Sequence, residues 1–341
     1  MSRVRSYYLD AIRVLACLMV VVMHSPMPVS DPSWGFVLTL VSYFTAPCIG
    51  LFFMVSGALL LPVKLSTRDF LTMRLSKMLY PTLFWSLFYI GCNVAKGTTD
   101  GAGVLTSLFA LPFTAQGHGI LWFMYTLIGL YLLAPVVSPW LKLINERTLR
   151  FYLLLWVVTL CVPFLSLAFN IQINAEYMLF YFSGYAGYFL LGYYLHTYVK
   201  NLSGGVKKVC LFSVLGVLVV LVPPVLCKLF HWEVDFYSLF WYLSIGVATM
   251  SLFWFVLIRR FHLLNQPNRL TLVLAELSKM SFGIYLVHIF IMRDILWHWS
   301  FMASLSVWIQ IPVCSVLTLA LSYGVVKLIS KLPFSKYIIG A

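Results

Sequence analysis

The feature that most constrains this chain is a series of apolar runs, each about as long as the 20 residues with which an α-helix crosses a bilayer. The runs make 62% of the 341 residues hydrophobic and leave 10% charged. A single soluble core cannot bury so much apolar surface, so lipid must solvate much of it. We predict an all-α polytopic membrane protein with about ten transmembrane helices, at residues 9–27, 34–62, 78–95, 119–138, 150–168, 177–199, 207–227, 236–258, 279–298 and 304–330.

The distribution of basic residues predicts the orientation of these helices. Lys and Arg near helix ends stay on the cytoplasmic side during insertion. Of the 23 Lys and Arg, all but Arg13, Lys96, Lys228 and Arg293 fall in every second connection or near the ends of the chain. Ten spans with both termini in the cytoplasm satisfy this alternation. The net charge of +13 is dispersed between apolar runs rather than gathered on one solvated face, so no nucleic-acid partner is predicted.

Residues 1–341 are expected to form a single integral-membrane domain. The first run carries Asp10, Arg13 and His24 instead of a cleavage site, so we interpret it as a retained helix. The second run is long enough to break, with Pro47 and Gly50 as the expected hinge. The connection 96–117 is too rich in Gly and Pro to be a span and is expected to be a re-entrant or lid segment. The seven cysteines show no C-x-x-C spacing, so no metal site is predicted.

The first helix carries the residues that indicate chemistry, because ionisable groups inside a bilayer are costly and usually face a cavity and a partner. Arg13 and His24 are eleven residues apart, so they lie on one face, roughly 16 Å apart along the axis. Asp10 lies one turn before Arg13, where it can pair with it. This arrangement suits a continuous groove for a long donor with an anionic head, and a general base at His24. In the alternative, Asp10 and Arg13 anchor the helix while His24 bonds a backbone carbonyl.

The run YLDAIRVLACLMVVVMHS resembles the opening of the acyltransferase-3 family of integral-membrane O-acyltransferases. That family carries an Arg and a His with ten residues between them and an Asp three residues before the Arg. Further segments resemble the family in the same order over nearly the whole chain: FFMVSGALL at 52–60, RLSKMLYP at 74–81, LWFMYTLIGLYLLAP at 121–135, YFLLGYYL at 188–195 and SFGIYLVH at 281–288. The sequence departs from the family pattern at Lys77, commonly Arg, and at Ile120, where relatives often have His and where the nearest histidine is His118.

The resemblance implies an enzyme of the bacterial cytoplasmic (inner) membrane, without a fused extracytoplasmic domain. It would transfer an acyl group, usually acetyl, from cytoplasmic acyl-coenzyme A to a hydroxyl of a cell-surface or lipid-linked glycan. In this interpretation Arg13, Arg74 and Lys77 bind the nucleotide end of acetyl-coenzyme A. His24 then either deprotonates the acceptor hydroxyl or carries a transient acyl group.

Three further residues are expected to support the site. Tyr285 and His288 match a family word, and with Ser281 they form a polar stripe that orients substrate or positions His24. Trp122 either stacks on a sugar or belongs to the aromatic belt at the membrane interface.

The main alternative is a transporter or exporter of polysaccharide or lipid-linked sugar, since ionisable residues in the membrane also suit a permeation path. A symporter more often carries an acidic residue at mid-depth, and the predicted spans place none of the ten acidic residues there. This favours the enzyme. A third possibility, a sensory or scaffold domain, predicts that substitution of Arg13 and His24 is tolerated.

Overall fold

The computed structural model describes residues 5–27, 35–117, 119–169, 172–174, 176–199, 218, 229, 241–264 and 266–340. These residues form helices and connections, and no strand occurs among them, which confirms the all-α prediction. Within these ranges, the stretches long and apolar enough to cross a membrane are Tyr7–His24, Leu40–Leu60, Gly119–Leu143, Arg269–His298 and Val307–Ile329. Ten spans with cytoplasmic termini stay a prediction. The predicted span 207–227 apart from residue 218, the start of 236–258 and His118 lie outside the described residues.

Helices α1 to α6 occupy Tyr7–His24, Gly35–Thr45, Pro47–Leu60, Thr67–Ala95, Gly101–Ala110 and Trp122–Leu143. Helices α7 to α13 occupy Glu146–Phe169, Ala186–Thr197, Ile245–Arg260, Arg269–Ile289, Ser300–Ser304, Val307–Ile329 and Ser335–Ile338. Helix α10 continues without interruption into a π-helical segment, Phe290–Ile295, and a 3₁₀ turn, Leu296–His298. Such π segments are frequent near functional sites.

The predicted run 34–62 is two helices that meet at the expected hinge. Helix α2 ends at Thr45 and α3 begins with Pro47. Proline fits the first turn of a helix because the N–H that it lacks would have no partner there. The predicted break therefore falls at Pro47.

Two other segments differ from a simple series of spans. In 177–199 the continuous α-helix is only Ala186–Thr197, about 18 Å long. Gly184 lies just before this helix. Its φ of +93° is in the left-handed region, which glycine adopts readily, and the preceding turn ends there. The connection 96–117 holds α5, which starts at the cap residue Asp100 and buries none of its side chains.

Helix α1 lies at the centre of the bundle, packed against α3 and α10. Helix α3 in turn approaches α8 closely enough for backbones to touch. A Cβ added at Gly57 would lie 1.8 Å from the carbonyl oxygen of Phe189, and one at Gly192 would lie 1.9 Å from that of Met54. Small residues permit this approach between membrane helices, where dispersion contacts replace a hydrophobic driving force. The tight α3–α8 pair makes one rigid wall beside α1.

Different polar contacts occur at the two ends of the bundle. At one end, Arg5 before α1 donates a hydrogen bond to the carbonyl of Ala275 in α10. At the other end, Lys96 after α4 pairs with Asp294 in the π-helical segment. This grouping agrees with the alternation of the charges along the chain. That the first end faces the cytoplasm stays a prediction.

Candidate functional site

A polar face of α10 is turned toward α1. It consists of Ser278, Ser281, Tyr285 and His288, whose spacing of three and four residues places them on one side of the helix. All four are buried. Arg13 of α1 donates from Nη1 to Oγ of Ser278 at 3.4 Å. The predicted stripe on α10 and the predicted cation on α1 are therefore in direct contact.

A cavity of about 260 Å³ opens beside this contact, between α1, α4 and α10. Helices α3 and α6 close its inner side. The residues that line it are Arg13, Phe52, Ser56, Arg74, Lys77, Met78, Phe123, Leu127, Tyr131, Ser278, Lys279, Ser281, Phe282, Tyr285, Ile339 and Gly340. All three cations predicted to hold the nucleotide end of the donor are among them.

The cavity lining is strongly positive. It contains Arg13, Arg74, Lys77 and Lys279, and no Asp or Glu. None of the four pairs with a carboxylate in the part of the chain that the structure describes. Cations that converge repel one another, and an anion bound between them reduces that repulsion. The arrangement is that of an anion-binding site.

The charges are graded from the mouth of the cavity inward. Lys77 and Lys279 are exposed, whereas Arg74 and Arg13 are partly buried. Charges with less water around them act more strongly on a ligand. The inner end is formed by buried Ser281 and Tyr285 together with apolar side chains. A ligand that is anionic at one end and neutral at the other fits this gradient.

His24 lies beyond the inner end of the cavity and does not line it. Its Nδ1 lies 2.8 Å from the carbonyl oxygen of Val20. A carbonyl only accepts, so Nδ1 carries a proton and Nε2 is the basic nitrogen of the neutral ring. The backbone contact of the alternative interpretation is thus present, but it uses only one ring nitrogen. The other is suited to general-base chemistry.

Tyr285 and His288 connect the cavity to His24. The rings of His24 and His288 are 5.3 Å apart between centroids, and those of His288 and Tyr285 are 5.7 Å apart. Nδ1 of His288 lies 2.6 Å from the carbonyl oxygen of Tyr285. The Tyr285 hydroxyl donates to the carbonyl of Ile120 at the start of the α6 region. This cavity reaches the Tyr285 ring and does not include His24, so the expected continuous groove from Arg13 to His24 stays a prediction.

The expected pairing of Asp10 with Arg13 is wrong. Asp10 accepts from Nε of Arg5 at 2.7 Å and from Nη2 of Arg5 at 3.2 Å. Arg5 lies in the segment before α1 and reaches the carboxylate with both edges of its guanidinium, a favourable geometry that Arg13 does not adopt. Its hydrogen bond to Asp10 raises the pKa of Arg5. Arg13 forms no direct ion pair with Asp10 and lines the cavity.

Trp122 belongs to an aromatic cluster rather than to the cavity. Its ring stacks on that of Tyr242 with a centroid separation of 5.6 Å and an interplanar angle of 27°. The ring of Tyr185 is also 5.6 Å away. Both contacts occur near the start of α6, on the same side of the bundle as the Ile120 carbonyl.

Some residues of the site were not predicted from the sequence. In the sequence, Lys279 stands out only as one of the basic residues that predict the orientation of the helices. Tyr131 could not be recognised as a site residue, because a single aromatic side chain is common in an apolar helix. Ser278 continues the stripe by one turn, so the spacing from Ser281 could have found it. Gln310 of α12, which is buried, donates from Nε2 to the carbonyl of Ser25 at 2.9 Å and so fixes the chain directly after His24.

The described residues contain no group of three or more His, Cys, Asp or Glu that could hold a metal ion. The cations of the cavity, the two imidazoles and the hydroxyls of Ser278, Ser281 and Tyr285 are groups that can act chemically at this site. They suit binding of an anionic ligand and transfer of a proton.

The fold and the site define a helical membrane protein with a cavity lined by four cations and, beyond it, a pair of histidines in ring contact. Residues 6–327 match the family model of the acyltransferase-3 type, described as an acyltransferase domain. The match covers nearly the whole chain, so the protein belongs to the acyltransferase-3 family, and its reaction is an acyl transfer. No curated protein and no solved structure matches the chain.

Proposed function

We propose that this protein is a membrane O-acyltransferase of the bacterial inner membrane. It transfers an acetyl group from cytoplasmic acetyl-coenzyme A to a hydroxyl of a cell-surface or lipid-linked glycan. The observation that carries the proposal is the cavity in which four cations converge without a carboxylate. Coenzyme A is a polyanion at its nucleotide end and a neutral chain at its thioester end, which matches the gradient from Lys77 to Tyr285.

The donor binds with its phosphates among the cations. Arg74 and Arg13 offer planar guanidinium groups that bind phosphate oxygens in bidentate fashion, and Lys77 acts as a point charge at the mouth. Arg13 is the innermost of these cations, and Ser278 supports it from the side. The neutral arm of the donor then extends toward Tyr285.

His24 acts as the general base in this proposal. Nε2 takes the proton of the acceptor hydroxyl while the oxygen attacks the thioester carbonyl. The carbon–sulfur bond breaks, and the imidazolium returns the proton to the coenzyme A thiolate. Nδ1 holds the ring on the Val20 carbonyl through both steps, and His288 packs against the ring. Transfer through an acyl-imidazole, in which Nε2 itself attacks the thioester, is the alternative route.

In this proposal the thioester passes Tyr285 to meet His24, because the cavity that holds the nucleotide end includes Tyr285 and not His24. We propose that rotation of the Tyr285 side chain, with loss of its hydrogen bond to Ile120, opens this passage. The π-helical segment that begins at Phe290 lies one turn further along the same helix, where a departure from α-helical geometry eases small shifts. The acceptor would approach from the opposite end of the bundle.

The test is thermal stabilisation of the detergent-purified protein by coenzyme A. A ligand that binds only the folded state adds about 2.7 kcal/mol of stability at a hundred times its dissociation constant. Coenzyme A should raise the melting temperature, and pantetheine, which lacks the nucleotide and its phosphates, should do so much less. An exporter of glycans has no reason to respond to coenzyme A. Equal or absent responses to the two compounds would contradict the donor site.

A further inference from the structure

The chain returns to the cavity after its last long helix. Helix α12 ends at Ile329, and the segment 335–340, here named the return segment, packs against α4. Ile339 and Gly340 line the cavity beside Lys77. The family match ends at residue 327, so the family model assigns nothing to this segment.

The return segment is fixed to α4 by specific contacts. Trp85 donates from its indole Nε1 to the carbonyl of Ile338 at 2.9 Å. The rings of Tyr80 and Tyr337 meet edge to face, with centroids 5.1 Å apart. Ile339 is 1% exposed, so its side chain is part of the core. The segment is therefore held against the helix that carries Arg74 and Lys77.

Gly340 makes the closest approach. Its φ is +69°, and a Cβ added there would lie 2.6 Å from the backbone carbonyl oxygen of Lys77 and 2.9 Å from the ring of Phe282. Both neighbours line the cavity. The Lys77 carbonyl belongs to α4 and cannot move without shifting the helix, so a side chain at position 340 would displace the wall of the cavity mouth.

We propose that the return segment is part of the donor site, and that Gly340 is a positioning residue that sets Lys77 and the mouth wall for the nucleotide end of acyl-coenzyme A. The inference rests on the proposed function, because it assumes that the cavity binds this donor. It assigns a binding role to a part of the chain outside the family match. The role concerns the anionic end, since Gly340 lies against the backbone of Lys77.

The experiment measures dissociation constants of coenzyme A and of pantetheine for the purified full-length protein. Gly340→Ala is expected to weaken coenzyme A binding by about tenfold and pantetheine binding by less than about twofold. The matched control is Gly97→Ala, since Gly97 has a φ of +71° with no neighbouring atom within 4 Å. It imposes the same backbone strain away from the cavity and should leave both constants unchanged.

A second variant keeps the test available if Gly340→Ala does not accumulate. Trp85→Phe removes the indole N–H that holds the Ile338 carbonyl and keeps an aromatic ring, though a smaller one, at this position. It should weaken coenzyme A binding selectively as well, by about three- to fivefold, the equivalent of one hydrogen bond of about 1 kcal/mol or less.

The outcomes separate the two proposals. Wild-type protein that binds no coenzyme A overturns the donor site itself and this inference with it. Wild-type protein that binds coenzyme A, with both return-segment variants binding equally well, overturns the inference alone. Equal weakening of coenzyme A and pantetheine also overturns it, because that pattern belongs to a general disturbance of the fold.

Discussion

Substitution of Arg74 gives the most quantitative test of the proposed donor site. It lines the cavity from α4, is partly buried and has no carboxylate partner in the described residues. Arg74→Gln removes the charge and keeps much of the side-chain volume. The expected result is weaker binding of coenzyme A without loss of the folded protein, because the substitution also relieves repulsion among the four cations.

The magnitude follows from the environment of the guanidinium. A hydrogen bond to a charged group contributes about 1.5–3 kcal/mol, and partial exposure of Arg74 places its contribution near the lower value. Since about 1.4 kcal/mol corresponds to a factor of ten, the dissociation constant of coenzyme A should rise about tenfold. The effect should shrink at high salt, because the mouth of the cavity is open to ions.

The assay is titration of coenzyme A into purified protein at two salt concentrations. Arg68→Gln is the matched control, because Arg68 lies on the same helix, is exposed and does not line the cavity. With a screening length of about 8 Å at physiological salt, its loss should change the constant by less than about twofold. Equal effects of the two substitutions would refute the reasoning, since binding would then depend on total charge rather than on the cavity.

Two other substitutions test the packing and the corrected ion pair. Gly57→Ala should lower the melting temperature strongly, because the added Cβ meets the backbone of α8. The control Gly129→Ala should not lower it, because Gly129 has open space around it. Equal melting temperatures of the two variants would contradict the close approach of α3 and α8. Asp10→Asn should cost about 1 kcal/mol of stability. That cost should vanish in an Arg5→Gln background and persist in an Arg13→Gln background, and the reverse pattern would restore the pairing of Asp10 with Arg13.

The parts of the structure that depend on local spacing could be predicted from the sequence. The helices Tyr7–His24, Glu146–Phe169 and Val307–Ile329 follow from the apolar runs, and the break at Pro47 follows from its missing N–H. The shared face of Ser281, Tyr285 and His288 follows from the helical repeat. Arg13 could be predicted as a site residue because a charged side chain within a membrane span is energetically costly, and that cost does not depend on which helices lie next to it.

The parts that depend on contacts between distant segments could not be predicted. Asp10 has a competing partner in Arg5, in a segment whose path no periodicity defines. The Tyr285 side chain, which lines the cavity, reaches across to Ile120, a contact between residues 165 positions apart. The approach of Gly340 to Lys77 likewise leaves no mark in either local sequence.

The most direct test of the account is the transfer of label from radiolabelled acetyl-coenzyme A to envelope glycan in membranes that contain either the wild-type protein or His24→Ala. The proposed mechanism predicts that His24→Ala lowers the rate by about a hundredfold or more, as expected for a lost general base. Coenzyme A should still bind the variant, because His24 does not line the cavity. Full transfer by the variant would contradict the assignment of His24 as the base.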